Sequence, residues 1–203
     1  MLNIIKNIPN VNTYPLTYVF EKMKLQQKPN TLWLEFGVAS GNTINYISKC
    51  TNDTVYGFDS FEGLPEKWRD GYDKGAFNRY GDLPNVNTNV HLIKGWFNET
   101  LPNFIKTQNK KVSFIHMDAD LYSSTKCILD NLKDYIDDEC IIVFDELVNY
   151  PGFDGDKGEL KAFYEFITDN NVNYELIGMN GIIDINGNLG YSEQVALIIH
   201  SIL

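Results

Sequence analysis

Short apolar runs rich in β-branched and aromatic residues recur along the chain, and stretches with helical spacing of apolar positions lie between them. The runs cover residues 31–36, 54–58, 90–94, 112–117 and 140–144. Each has the length of a strand and is apolar enough to be buried on both faces. Strands that alternate with helices in this way predict an α/β fold with a parallel sheet.

Two of the intervening helices can be read from their apolar spacing. Residues 123–133 begin with capping residues and place Cys127, Ile128 and Leu132 on one face, and residues 158–168 repeat apolar positions with the same period. The period changes after the fifth strand, where two further apolar runs, 173–177 and 194–199, flank a polar stretch with glycines. We expect these two runs to pair as antiparallel strands, which brings the sheet to seven strands.

Two segments fall outside this alternating pattern, although we expect residues 1–203 to form one domain. Residues 1–30 form an N-terminal segment with one predicted helix, 14–26. Residues 62–89 form a long insertion in which glycines and prolines alternate with aromatic side chains. Loops of this length are usually functional or disordered, so we interpret the insertion as a lid over a binding site.

Composition and charge narrow the possible partners. The 203 residues include 17 basic and 27 acidic side chains, a net charge of −10 that opposes binding to nucleic acid or to an anionic membrane. The three cysteines are widely spaced and predict neither a disulfide framework nor a zinc site. No signal peptide and no membrane-spanning run is evident, so we expect a cytoplasmic protein.

The first predicted strand leads through a glycine turn into a helix. Gly37 and Gly41 allow a ligand to approach the main chain, and Ser40, Asn42 and Thr43 add polar groups near the start of the helix. The spacing differs from the dinucleotide-binding signature. An ordinary strand-to-helix turn would also explain the glycines alone.

A carboxylate at the end of the second strand favours the functional interpretation. Asp59 follows Gly37 by 22 residues, which is where doubly wound folds present an acid to the two hydroxyls of a ribose. Taken alone, an aspartate at this position is more often a solvated residue at the end of a strand. Together with Glu35 and the glycine turn, it predicts nucleoside binding.

Acidic residues also follow the fourth and fifth strands. Asp118, Asp120, Asp145 and Glu146 should converge, because neighbouring parallel strands deliver their carboxyl ends to one crevice. A Mg²⁺ ion would relieve the repulsion between these carboxylates, although some of them could instead cap the following helices. His116 lies two residues before Asp118 on the same strand and is either a buried core histidine or a proton acceptor.

These stretches together resemble a known family. Residues 34–37 (LEFG), 57–65 (GFDSFEGLP), 94–97 (KGWF), 116–125 (HMDADLYSST) and 144–146 (FDE) are similar to class I S-adenosylmethionine-dependent methyltransferases of the macrocin O-methyltransferase group. The resemblance covers roughly residues 32–167. It departs from the family after strand five, where members often carry two aspartates, and before residue 30, where members carry substrate-binding and oligomer-forming helices.

The resemblance implies a Rossmann-like fold, a mostly parallel sheet of seven strands with helices on both faces and an antiparallel last strand. It also implies that S-adenosylmethionine is the cofactor and that Mg²⁺ is held by Asp118, Asp145 and Glu146. The residues expected to bind the cofactor are Glu35, Gly37, Ser40, Gly41, Asn42, Thr43, Asp59, Ser60, Gly95, Trp96 and Asp118.

The function predicted on this basis is methyl transfer to a hydroxyl of a sugar or another diol-bearing small molecule. The expected catalytic residues are Asp118, Asp120 and His116, and either Asp120 or His116 could accept the proton of the hydroxyl. A cofactor-binding protein without catalysis and a metal-independent methyltransferase remain alternatives. Formation of a homo-oligomer is compatible with the resemblance.

Overall fold

The computed structural model describes residues 1–182 and 192–203, and these form an α/β fold around one sheet. The seven strands described are β1 (Leu32–Phe36), β2 (Val55–Asp59), β3 (Val90–Lys94), β4 (Val112–Met117), β5 (Ile136–Phe144), β6 (Val172–Met179) and β7 (Val195–Ile202). All seven were predicted from the apolar pattern. β5 and β7 begin or end several residues beyond the predicted runs.

The strands lie in the order β3-β2-β1-β4-β5-β7-β6. Strands β1 to β5 pair in parallel, and β7 runs antiparallel to both β5 and β6, which confirms the predicted antiparallel pair and last strand. The chain moves outward from β1 to β3 and then returns to β4 on the other side of β1. This reversal leaves a crevice beyond the carboxyl ends of β1 and β4, where ligands bind in open α/β sheets.

Helices and side chains cover both faces of the sheet. The helices are α1 (Pro15–Thr17), α2 (Asn42–Ser48), α3 (Phe97–Gln108), α4 (Tyr122–Leu132) and α5 (Gly158–Asp169). Alternate residues of β1 enter different clusters of the core: Leu34 and Phe36 belong to the larger one, and Trp33 belongs to the other. Every side chain of β1 is buried, as expected for a central parallel strand.

The N-terminal helix is shorter than the predicted 14–26. Helix α1 continues only as a π-helical turn, Tyr18–Lys22, and Lys24 then takes a left-handed backbone conformation with φ of 59°, which a helix cannot continue through. The segment is nevertheless anchored, because Phe20 is buried with its ring 5.4 Å from that of Trp33. Within the described residues, no helix combines the length and the apolar character needed to cross a membrane.

Candidate active site

A cavity of about 760 Å³ lies at the carboxyl ends of the central strands. Its lining comes from the glycine turn after β1, from the ends of β2, β4 and β5, and from the beginning of α3. The insertion adds Gly63, Leu64, Pro65, Lys74 and Phe77. The insertion therefore forms one wall of the cavity, in the position expected of a lid.

The glycine turn and β4 approach each other too closely for any side chain at Gly37. A Cβ atom at this position would lie 1.7 Å from the main-chain oxygen of Asp118, and the φ angle of 90° disfavours other residues as well. Gly41 has a φ angle of 81° and precedes the first residue of α2. Glycine at position 37 lets the turn lie against the residue that follows β4, whereas Gly41 faces Pro84 and Val86 of the insertion.

Asp59 organises this turn through both of its carboxylate oxygens. Oδ2 accepts hydrogen bonds from the main-chain nitrogens of Val38 at 2.9 Å and Ala39 at 2.8 Å. Oδ1 accepts one from the nitrogen of Phe61 at 2.7 Å. The carboxylate thus joins the glycine turn to the start of the insertion, and it also lines the cavity.

Only some of the residues expected to bind the cofactor line this cavity. Those that line the cavity are Gly37, Asp59, Ser60, Gly95, Trp96 and Asp118. Asn42 and Thr43 line a separate hollow of about 280 Å³, together with Tyr46 and Gln194. Ser40 and Gly41 line neither space, and Glu35 is buried beneath the cavity floor. The structure therefore brings six of the eleven residues together around one cavity.

Three carboxylates meet on the β4 and β5 side of the cavity. Asp118, Asp120 and Glu146 each offer an oxygen, and these oxygens lie within 4.8 Å of one another. Burial, followed by repulsion from Asp145, raises the pKa of Asp118 and raises that of Asp120 to about 7. Burial and the charge of Asp118 raise the pKa of Glu146 in the same way.

This acidic cluster fits a divalent cation. The Oε2 atom of Glu146 is buried and has no hydrogen-bond partner, which is costly for a carboxylate oxygen unless a ligand satisfies it. Carboxylate oxygens are the donors that Mg²⁺ prefers. Two members of the predicted metal-binding set, Asp118 and Glu146, belong to this cluster. The third, Asp145, lines the same cavity beside them.

Asp145 lines the cavity and is also contacted by two side chains that lie outside the cavity lining. Its Oδ1 accepts a hydrogen bond from the side-chain amide of Gln194 and lies 3.6 Å from Nε2 of His116. Burial alone would raise the pKa of Asp145, but the interactions with His116, Glu146 and Gln194 lower it to about 2. Asp145 is therefore the carboxylate of the site that stays charged most readily.

His116 lies below the cavity and not on its surface. The residue is fully buried, and its Nδ1 is 3.2 Å from Oε1 of Glu35 on the neighbouring strand. Burial opposes the charged imidazole, but the neighbouring carboxylates of Asp145 and Glu35 raise its pKa well above the usual value. Because His116 does not line the cavity, a role in proton transfer would have to pass through Asp145.

Sequence reasoning missed several polar groups of the site. Glu159 at the beginning of α5 is fully buried and bonds to the loops after β4 and β5, and Gln194 at the start of β7 reaches Asp145. An acidic residue in the first turn of a helix usually interacts with the helix dipole in solvent, so the pattern around Glu159 gives no sign of burial. The contact made by Gln194 depends on β7 lying beside β5.

The insertion is tied to the rest of the site by polar and aromatic contacts. The hydroxyl of Ser123, at the beginning of α4, donates a hydrogen bond of 2.6 Å to Glu66. The guanidinium of Arg69 stacks over Trp68 at 4.0 Å and lies 4.8 Å from the ring of Tyr72. These contacts hold the aromatic part of the insertion next to the acidic cluster.

The match to known proteins covers the same elements that build this cavity. A family described as a methyltransferase domain matches residues 34–147, more than half of the chain. The chain is also similar to 8-demethyl-8-(2,3-dimethoxy-alpha-L-rhamnosyl)-tetracenomycin-C 4'-O-methyltransferase of Streptomyces olivaceus, with 27% identity over a match of 158 residues and with 64% of this chain covered. It spans 58% of that relative's length.

Solved structures show the same fold. An O-methyltransferase from Bacillus cereus in complex with SAH has a TM-score of 0.56 at 16% identity, over 98% of this chain and 87% of that one. CalS11, a calicheamicin methyltransferase, has a TM-score of 0.54 at 20% identity, over 83% of this chain and 72% of that one. At these identities the two structures support only the Rossmann-like fold, whereas the family match supports an evolutionary relationship. The chain therefore belongs to the methyltransferase-domain family.

Proposed function

We propose that this chain is an S-adenosylmethionine-dependent O-methyltransferase that uses Mg²⁺ and acts on a hydroxyl of a sugar or another diol-bearing small molecule. The observation that carries the proposal is the single cavity that joins two chemically different walls. Gly37 and Asp59 line one wall, and Asp118, Asp120 and Glu146 line the other. A methyl donor and a hydroxylated acceptor can therefore be held side by side.

The cofactor belongs on the wall formed by β1 and β2. The glycine turn would receive the methionine part of S-adenosylmethionine, Asp59 the ribose hydroxyls, and Gly95 with Trp96 the adenine. The sulfonium is already an activated electrophile, so the protein mainly has to align the acceptor oxygen with the methyl carbon and exclude water. Phe77 and Leu64 of the insertion supply apolar surface for that exclusion.

The acceptor hydroxyl belongs beside the acidic cluster. Asp118, Glu146 and Asp145 would hold Mg²⁺, and a bound cation makes a hydroxyl easier to deprotonate. Asp120, with a pKa raised to about 7, is suited to accept that proton near neutral pH. Glu35 and His116 would keep Asp145 charged and fixed from below.

Several observations favour a small hydroxylated acceptor. The Streptomyces olivaceus relative is named as a 4'-O-methyltransferase of a tetracenomycin that carries a rhamnosyl group, which supports a sugar-bearing acceptor. The net charge of −10 opposes a nucleic acid. A separate observation concerns the cellular location: the three cysteines are free thiols, which suits a reducing, cytoplasmic setting.

Chelation tests the metal and the transfer reaction together. Methyl transfer to sugar and catechol acceptors is measured as S-adenosylhomocysteine formation, before and after EDTA treatment and after Mg²⁺ is restored. We expect EDTA to abolish transfer and Mg²⁺ to restore it, while calorimetry shows nearly unchanged affinity for S-adenosylmethionine.

Variants of β5 provide the matched comparison. Asp145→Asn should behave as the chelated protein does, because it removes a ligand charge at nearly constant shape. Asp138→Asn, an exposed position on the same strand, should leave transfer unchanged. Full activity after metal removal would favour a metal-independent methyltransferase, and cofactor binding without transfer to any acceptor would contradict the proposed activity.

A further inference from the structure

Glu159 is a buried carboxylate that connects the two loops carrying the acidic cluster. It is the second residue of α5, and none of its surface is exposed. Its Oε1 accepts a hydrogen bond of 3.3 Å from the main-chain nitrogen of Ala119. Its Oε2 accepts one of 3.3 Å from the main-chain nitrogen of Glu146. One side chain thus bridges the loop after β4 and the loop after β5.

The bond to Ala119 acts at a point where the backbone needs support. Ala119 lies between Asp118 and Asp120, and Asp120 has a φ angle of 59°, in the left-handed region that costs energy for a residue with a side chain. Such a conformation persists when surrounding contacts hold it. The hydroxyl of Thr125 lies 3.5 Å from the same oxygen of Glu159 and adds to the anchor on the α4 side.

Ordinary structural roles do not account for this residue well. A helix-capping side chain would bond to nitrogens of its own helix, whereas both carboxylate oxygens of Glu159 bond to loops outside α5. Within residues 1–182 and 192–203, no cation forms an ion pair with Glu159. Burial without such a pair is expensive for a carboxylate, so its place beside other acids needs a reason.

We propose that Glu159 is a positioning residue that sets the distance between Glu146 and the Asp118–Asp120 turn, and so shapes the divalent-cation site without touching cofactor or acceptor. This inference rests on the proposed function. Glu159 does not line the cavity, so its effect passes through the two main-chain nitrogens. Substitution of a residue that orients metal ligands in this way typically lowers metal affinity by about 10- to 100-fold.

The test replaces Glu159 by glutamine and measures metal binding without turnover. An amide offers one acceptor oxygen, so Glu159→Gln leaves one of the two loop nitrogens without a partner. We expect Mn²⁺ affinity, measured by electron paramagnetic resonance in the absence of acceptor, to fall by about 10- to 100-fold. The affinity for S-adenosylmethionine should change less than about twofold, because the cofactor wall lies on β1 and β2.

The control is Glu165→Gln in the same helix, where the side chain accepts a hydrogen bond from Tyr122 and is far less buried. It should leave both affinities unchanged. If Glu159→Gln does not fold, Glu159→Asp keeps a carboxyl group that is too short to reach both loops, and the same loss of Mn²⁺ affinity is expected. Steady-state kinetics should then show a lower kcat with the KM for the cofactor unchanged.

The outcomes separate this inference from the proposed function. A wild-type protein that binds no Mn²⁺ overturns the metal site and the role of Glu159 together. If the wild-type protein binds Mn²⁺ and the glutamine variant binds it equally well, only the role of Glu159 is overturned. An equal loss of metal and cofactor affinity with a lower thermal midpoint would show that Glu159 supports the fold and has no specific effect on the site.

Discussion

Asp59 combines a structural role with the ribose contact proposed for it. Its oxygens already accept three main-chain hydrogen bonds, from Val38, Ala39 and Phe61, and the group still borders the cavity. A carboxylate has about four acceptor positions, so about one is left for a ribose hydroxyl without breaking the turn. Binding of the cofactor and the shape of the glycine turn are therefore expected to depend on the same side chain.

Substitution of Asp59 tests this dependence. Asp59→Asn removes the charge and turns one acceptor oxygen into a donor, so we expect affinity for S-adenosylmethionine to fall by roughly 10- to 150-fold, equivalent to about 1.5–3 kcal/mol. Isothermal titration calorimetry measures the change. Asp53→Asn, an exposed position just before the same strand, serves as the control. Equal affinity in wild type and Asp59→Asn would exclude a ribose contact.

Which side chains converge could be predicted from the sequence, but how they bond to one another could not. Asp118, Asp145 and Glu146 all line the cavity, as the rule for parallel strand ends implies. The buried contact between Glu35 and His116 depends on the register of β1 against β4, which places these two residues directly opposite each other. Register and burial of this kind arise from the packing of the complete sheet, and local patterns do not contain them.

The insertion at residues 62–89 is closed on itself and fastened to α4. The main-chain nitrogen of Leu64 bonds to the oxygen of Ala76 at 2.9 Å, and Gly75 returns a bond of 2.9 Å to Leu64. The sequence indicated a lid from its glycines, prolines and aromatic residues. It could not indicate that Ser123 bonds to Glu66, because this contact joins positions 57 residues apart.

Loss of the Ser123 hydroxyl should loosen the insertion. A hydrogen bond to a charged group at the surface contributes about 1 kcal/mol, so Ser123→Ala should raise the KM for the acceptor by roughly two- to sixfold. Cofactor affinity should stay the same. Hydrogen exchange in the insertion should be faster in the variant, and in the wild type it should slow when cofactor and acceptor bind.

Asp130→Asn is the appropriate comparison, because it breaks an exposed ion pair on the same helix, away from the insertion. Exchange rates that are indifferent to both ligands, or a Ser123→Ala variant with wild-type kinetics, would contradict the lid. The two results are independent, since one reports on mobility and the other on acceptor binding.

The acidic cluster makes the stability of the folded protein depend on pH. In the unfolded chain these carboxyls titrate near pH 4, but in the folded protein burial and mutual repulsion raise the pKa values of Asp118, Glu146 and Glu159, and that of Asp120 to about 7. Between these values the folded state holds more protons than the unfolded state. The free energy of unfolding therefore decreases as the pH rises from about 4 to about 7.

Thermal unfolding in EDTA should show this effect directly. We expect the free energy of unfolding to be on the order of 2 kcal/mol lower at pH 7.5 than at pH 5.5, or about 4–8 °C in Tm. Asp145, with its pKa lowered to about 2, contributes in the opposite sense, and its stabilisation is lost only as the pH falls from about 4 to about 2. Mg²⁺ at about 100 times its dissociation constant should restore about 2.7 kcal/mol at pH 7.5. A Tm in EDTA that does not depend on pH would contradict the raised pKa values of these carboxyls. A Tm at pH 7.5 that Mg²⁺ does not change would contradict cation binding at the cluster.

The close approach of Gly37 to Asp118 brings together two parts of the chain that have different roles in the proposed reaction. Most residues that would hold the cofactor precede Asp118 in the sequence. Most residues that would face the acceptor lie from Asp118 onward. A lineage can therefore change its acceptor through the second part, or through the insertion, while the first part is inherited intact. The same boundary indicates which segments could be exchanged between relatives to change the acceptor: those that follow Asp118 in the sequence and those within residues 62–89. The residues of the cofactor wall would be kept.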